Sequence, residues 1–231
     1  MGNVVLWKPS ATALLSSWYT MQLLEEAGLP PGVINFIPGD AAMISDIALA
    51  HRDLAGVHFT GSTGVGRIIA KRAAEHLKPC LLELGGNNAV VVSDKADLSL
   101  AVRAIAFGAW GTAGQRCTTT RRVIAHESIH DELVSRLDRA RAQLPIDSPL
   151  EQGTLIGPLI DDAGATAMDA ALTSARAQGG TVVGGGRVRD GVPSGGAYVR
   201  PALVTIDHGA DIVQHETFAP ILYVCPYDTI E

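Results

Sequence analysis

The chain has 231 residues, 47% apolar and 18% charged, with a formal net charge of −6 at pH 7. Such a composition excludes a disordered chain, and without a run of lysine and arginine it excludes nucleic acid as an expected partner. No stretch of about 18 apolar residues is free of charge, so no membrane span is expected, and three cysteines without C-x-x-C spacing suggest neither a disulfide framework nor a metal site, which fits a reducing, cytoplasmic compartment.

The length falls between one domain and two. Residues 3–7 form a short apolar run and read as a buried strand. A helix over 12–27 stops at Gly28, with Pro30 and Pro31 beyond it. A strand over 32–37 follows, then a helix capped by Asp40 and running to about Ala50. Residues 54–60 read as a strand, 63–77 as a helix and 80–84 as a strand. This alternation predicts parallel β-α-β units with right-handed crossovers. After Gly85-Gly86 the pattern restarts: strand 88–92, helix 97–110, strand 121–126. A Ser-x-x-Asp capping box, Ser128 to Asp131, is expected to open a helix over 128–143. Another helix over 161–178 precedes strands near 181–183, 198–206 and 221–227. The expected organisation is therefore α/β with a boundary near Gly85, giving regions 1–84 and 85–231. The N-terminus is not a signal peptide, because its apolar run is too short and leads into a strand. Both chain ends look cut, as in a fragment of a longer protein.

Several residues could carry chemistry. Phe59-Thr60-Gly61-Ser62-Thr63-Gly64-Val65-Gly66 lies between a strand and a helix. Backbone N–H groups and a serine hydroxyl there suit a pyrophosphate; a tight turn with an N-cap explains the same residues equally well. Lys8, with Pro9 and Ser10 behind it, follows the first strand and could donate to ribose hydroxyls or phosphate; a solvated lysine is the simpler account. Cys117 stands in Gly114-Gln115-Arg116-Cys117. A thiol is a nucleophile as thiolate, which nearby cations and backbone donors favour. Cys80 and Cys225, each in an apolar run, read as inert buried residues. Glu83 interrupts an apolar strand, where burial should raise its pKa and suit it to act as a general base. Glu216 precedes Thr217-Phe218-Ala219-Pro220. His208 and His215 read as surface groups, because no second pair at ligand spacing accompanies them.

Taken in order, Lys8-Pro9-Ser10, Phe59-Thr60-Gly61-Ser62, Glu83-Leu84-Gly85-Gly86, Gly114-Gln115-Arg116-Cys117 and Glu216-Thr217-Phe218-Ala219-Pro220 resemble the NAD(P)-dependent aldehyde dehydrogenase superfamily along essentially the whole chain. Glu83 and Cys117 stand 34 positions apart, which matches that family's separation of base and nucleophile. The resemblance implies an incomplete Rossmann-type NAD-binding domain over 1–84 and an incomplete catalytic domain over 85–231. It implies Cys117 as nucleophile and Glu83 as the base that activates water. It implies cofactor contacts from Lys8, Ser10, Gly61, Ser62, Gly85, Glu216 and Phe218. NAD is the expected cofactor, with NADP open because Ala11 stands where many NAD-preferring relatives carry Glu. A small aldehyde is the expected substrate, and a homo-oligomer is expected for the full-length protein.

Residues from Gly64 on resemble the α-aminoadipic semialdehyde (antiquitin) branch, including Asn87, a position that is Lys in most of the superfamily. The first 63 residues look more like the 1-pyrroline-5-carboxylate (glutamate semialdehyde) dehydrogenases. Both branches oxidise amino-acid semialdehydes, and Arg116 is the expected anchor for the substrate carboxylate. The family's oxyanion asparagine lies upstream of the first residue here, and one such donor is worth about 10²–10³ in kcat. An inactive NAD-binding fragment is therefore the alternative from another class. A CoA-acylating dehydrogenase is disfavoured, because such relatives lack the Glu that position 83 retains.

Overall fold

The computed structural model describes residues 2–229. The fold is α/β, and its contacts divide at Leu84/Gly85 into two compact units.

The first unit contains β1 (Val5–Trp7), α1 (Leu14–Glu26), β2 (Ile34–Phe36), α2 (Ala41–Ala50), β3 (Val57–Thr60), α3 (Thr63–Glu75) and β4 (Cys80–Glu83). Its strands form two parallel pairs, β1 with β2 and β3 with β4, rather than one continuous sheet. The expected stop signal closes α1: Gly28 takes φ +93°, and its N–H donates to the Glu25 carbonyl. Asp40 caps α2 by accepting from the Met43 N–H at 2.8 Å. Trp7 meets Phe36 edge to face at 5.5 Å, and Trp18 lies 5.8 Å from Phe36, tying α1 to the first pair. On α3, Gly66, Ile69 and Ala73 form the buried stripe. A Cβ at Gly66 would come within 2.5 Å of Leu84 Cδ2, so only glycine lets the helix lie this close. The expectation of a buried first strand fails. Val5 and Leu6 are about half exposed, because β1 has one strand neighbour among the described residues.

The second unit contains β5 (Asn88–Val92), α4 (Leu98–Trp110), β6 (Thr120–His126), α5 (Glu127–Ala142), α6 (Asp162–Ala177), β7 (Thr181–Gly184), β8 (Ala202–Thr205) and β9 (Ile221–Tyr227). They build one five-stranded sheet in the order β5-β6-β9-β8-β7. The central strand β9 is buried from Ile221 through Cys225, as its continuous apolar run requires. Around it lie Trp110, Leu133, Leu137, Met168 and Leu203, each at most 1% exposed. Full burial of such a side chain contributes roughly 1.5–3 kcal/mol.

Three expectations are corrected in this unit. The sheet is not all parallel: β7 runs antiparallel to β8. Its return uses Gly184, Gly185 and Gly186, all left-handed, and an antiparallel neighbour needs no crossover helix. The strand expected from Tyr198 begins only at Ala202. Pro201 has no N–H to give a ladder, and residues 197–199 make only isolated bridges. Finally, α5 starts one residue early. His126 occupies the N-cap, its Nδ1 accepts from the Ser128 N–H, and the Ser128 hydroxyl bonds the same ring, so the expected capping box does not form.

Candidate active site

Five of the expected site residues fall in the second unit, and the structure gathers them. Cys117 is exposed and follows a turn whose backbone is left-handed at three successive positions: Thr112 (φ 56°), Ala113 (φ 53°) and Gly114 (φ 70°). Two of the three are not glycine. At the two non-glycine positions this costs of order 1–3 kcal/mol each and persists only where the surroundings hold it.

What holds it is a convergence of three segments around one side chain that the motifs did not single out. Arg121, on β6, is 2% exposed. Its Nη1 donates to the carbonyls of Gly114 (3.2 Å) and Thr217 (2.7 Å). Its Nη2 donates to the carbonyl of Arg116 and to Glu216 Oε1, both at 3.1 Å, and its Nε to the Gly86 carbonyl at 3.2 Å. All five guanidinium N–H donors are thus used. The cation lies 5.2 Å from the Phe218 ring centroid. Burial lowers the Arg121 pKa, and the adjoining Glu216 carboxylate, then Cys117, oppose that shift. Strand parity explains the placement: positions 121, 123 and 125 point inward on β6 while 120, 122 and 124 are half-buried. The inward set is Arg121, Val123 and Ala125, so the signal is one charge among inward apolar positions, masked in the sequence by the neighbouring Arg122.

Glycines allow this approach. A Cβ at Gly85 would overlap Glu216 Oε2, and one at Gly114 would overlap the Ala219 carbonyl. One at Gly86 would lie 2.7 Å from the Cys117 carbonyl oxygen. Glu216, its side chain 26% exposed, accepts through Oε1 from Arg121 and from the Gly86 N–H at 3.3 Å. Asn88 Nδ2 donates to the carbonyls of Cys117 (2.7 Å) and Thr119 (2.9 Å). Gln115 Oε1 accepts from the Ile160 N–H at 2.9 Å. The Cys117 N–H makes no hydrogen bond among the described residues. Phe218 is 47% exposed, and the Arg116 side chain is exposed beside the thiol. An accessible thiol, a free backbone donor and a half-free carboxylate on a pinned turn suit acyl chemistry.

The other expected residues belong to the first unit and sit at carboxyl ends of its strands. Lys8 follows β1, and its Nζ donates to the Pro9 carbonyl at 2.7 Å. Ser10 is exposed, with its Oγ 3.0 Å from Thr12 Oγ1. Ser62 caps α3, its hydroxyl accepting from the Val65 N–H at 3.4 Å. The Gly61 N–H donates to the Glu83 carbonyl at 3.0 Å, extending the β3–β4 ladder. Glu83 itself is exposed, on the face of β4 it shares with Leu81, so the burial expected around it is absent from this unit. Cys80 is half-buried rather than buried; Cys225 is fully buried. Among the described residues no helix is long and apolar enough to cross a membrane.

The chain is 45% identical over 229 residues to α-aminoadipic semialdehyde dehydrogenase of Bos taurus, a match covering 96% of this chain and 42% of that protein. It is 44% identical over 235 residues to the mouse (Mus musculus) protein of that name, covering 100% and 43%. Among solved structures, a salicylaldehyde dehydrogenase from Pseudomonas putida superposes with a TM-score of 0.90 at 34% identity, over 99% of this chain and 47% of that one. Betaine aldehyde dehydrogenase from Staphylococcus aureus in complex with NAD+ does so at 0.90 and 30%, over 98% and 45%. The chain therefore spans less than half the length of these relatives. The model of the aldehyde dehydrogenase family matches residues 1–231, and the chain belongs to that family.

Proposed function

We propose that this chain carries the nucleophile, general base and much of the cofactor site of an NAD(P)-dependent aldehyde dehydrogenase acting on an amino-acid semialdehyde of the α-aminoadipic type. Region 1–84 is then part of the NAD-binding domain and region 85–231 part of the catalytic domain. The observation that carries this reading is the exposed Cys117 thiol after a left-handed turn, in a segment whose carbonyls share Arg121 with the Glu216 carboxylate. The 45% identity to an α-aminoadipic semialdehyde dehydrogenase supports the substrate class; glutamate γ-semialdehyde is the alternative.

The residues suit a dinucleotide. Glu216 Oε2 stands over Gly85, where any side chain would displace it, leaving one carboxylate oxygen for a ribose hydroxyl. Lys8 and Ser10 would serve the other ribose, Gly61 and Ser62 the pyrophosphate at the N-terminus of α3, and Phe218 the nicotinamide. When bound, the dinucleotide supplies the hydride acceptor. The chain's own residues do the rest. Cys117 Sγ adds to the aldehyde carbon, and its N–H donates to the resulting oxyanion. The carbon stays on sulfur as a thioester after oxidation. Glu83 takes a proton from water, which displaces the thiolate and releases the acid. Arg116 orients the substrate carboxylate through its fork.

The test is single-turnover NADH formation with each semialdehyde, comparing the chain with Cys117→Ala. A burst with the native chain that vanishes in the variant is expected. A burst that survives, or NAD binding without any burst, would overturn the catalytic reading and leave a cofactor-binding chain. Arg116→Ala should raise KM for the semialdehyde far more than for an aliphatic aldehyde.

A further inference from the structure

The buried guanidinium of Arg121 is more than a counter-ion. Only one of its five hydrogen bonds reaches a carboxylate; four go to backbone carbonyls on three separate segments. Two of those carbonyls, Gly114 and Arg116, bracket Gln115 in the turn that ends at Cys117. A third, Thr217, lies between Glu216 and Phe218. The fourth, Gly86, follows the glycine beneath Glu216. An ion pair alone needs none of these four contacts, whereas a template for three loops needs all of them.

We infer that Arg121 is the positioning residue of this site. It sets the turn that presents the Cys117 thiol and the carboxylate of Glu216 together, so that the thiol and the cofactor-facing loop keep one geometry. The inference rests on the reading of Cys117 as nucleophile. Two features require such a device. The left-handed run at Thr112, Ala113 and Gly114 springs open unless it is held from several directions. Among the described residues Glu216 also has only Arg121 and the Gly86 N–H to fix its Oε1. Lysine cannot substitute, because a single ammonium on a flexible stem offers three donors and no planar fork.

Alkylation of the thiols by iodoacetamide at neutral pH, followed cysteine by cysteine in the whole chain, tests this without turnover. Native Cys117 is expected to react much faster than Cys80 or Cys225; if it does not, the nucleophile reading itself fails. Given a reactive Cys117, Arg121→Lys should slow it about tenfold or more, short of the roughly 10²-fold that a 1 Å misplacement can cost. Glu216→Gln, which leaves the four carbonyl bonds in place, should stay within about threefold. The decisive variant is Arg121→Met with Glu216→Gln. Removing both partners leaves no buried unpaired charge, but the four carbonyls lose their donor, so its melting curve is recorded first and its thiols are read at a temperature where it is folded. If Arg121 positions the turn, this double variant stays slow, near the Arg121→Lys rate. If Arg121 is only half of an ion pair, the double variant recovers native reactivity. That recovery, or a lowered melting temperature with an unchanged Cys117 rate in Arg121→Lys, overturns the inference.

Discussion

Single residues decide whether the turn before Cys117 can exist. Thr112 and Gly114 share a left-handed backbone but differ in what a substitution does. Thr112 is exposed and β-branched, and its left-handed conformation costs about 1–2 kcal/mol, against the roughly 0.5–1 kcal/mol of extra backbone entropy that glycine loses on folding. Thr112→Gly should therefore stabilise the chain by about 0.5–1 kcal/mol in urea unfolding. At Gly114 a Cβ would meet both the left-handed penalty and the Ala219 carbonyl. Gly114→Ala should cost about 2 kcal/mol or more, and equal effects at the two positions would contradict the turn described here. The glycine was readable in the sequence as part of a motif; the strain at Thr112 and Ala113 was not, because nothing local in T-A-G dictates a positive φ for threonine. Arg121 stayed hidden for a related reason. Beside Arg122 it looks like one of two surface charges, and only the strand's parity turns one inward and leaves the other to bond the Asn87 carbonyl at 2.7 Å.

At the scale of elements, period and capping were legible where one local signal acted alone. Asp40 caps the helix expected of it, and Asp97 and Asp161, expected as first helical residues, cap theirs from one position outside. Ser128 fails as a cap because His126, two residues earlier, takes the N-cap: its Nδ1 accepts from the Ser128 N–H and pairs with the Ser128 hydroxyl. Strand β9 was legible as a buried run, and its burial has a measurable consequence. Burial lifts the Cys225 thiol from its usual 9.0 to about 11, with Asp207 adding to the rise and Arg122 opposing it. Burial likewise lifts Tyr223 to about 12. Between pH 9 and 11 the unfolded chain gives up the Cys225 proton while the folded chain keeps it. The unfolded state then binds fewer protons, and stability falls as pH rises. Below pH 9 the thiol is neutral in both states and has no effect. Unfolding free energy should thus decline from about pH 9, and Cys225→Ala, measured over the same range, should flatten the decline up to about pH 11, leaving the part due to Tyr223. A slope unchanged by that substitution would show that Cys225 does not titrate across the folding transition.

For the molecule as a whole, the contrast between the two units carries the last expectation. The second unit has a five-stranded sheet with a central strand buried along most of its length and a continuous core from Val92 to Cys225. The first has two strand pairs, and among its described residues the buried apolar side chains are Pro9, Met21, Leu49, Ile69 and Ala73, while Leu15, Leu23, Ile47 and Ile68 are more than half exposed. At about 25 cal/mol per Å² of apolar area, that difference in burial dominates any difference in hydrogen bonding. The units should therefore open separately. Hydrogen exchange should find the amides of β6 and β9 the most protected and those of β1 to β4 exchanging at lower opening free energies, with two transitions in urea rather than one. The expected cofactor role of Lys8 and Ser62 then makes a second demand on the same experiment. A ligand that binds the first unit only when it is folded stabilises that unit by RT ln(1 + [L]/Kd), about 2.7 kcal/mol at a hundredfold excess over Kd, whatever it also contacts elsewhere. NAD should raise the first transition by that amount and slow exchange around the N-terminus of α3. One cooperative transition shared by β1 and β9 would contradict the division, whereas two transitions of which NAD moves neither would remove Lys8 and Ser62 from the cofactor site.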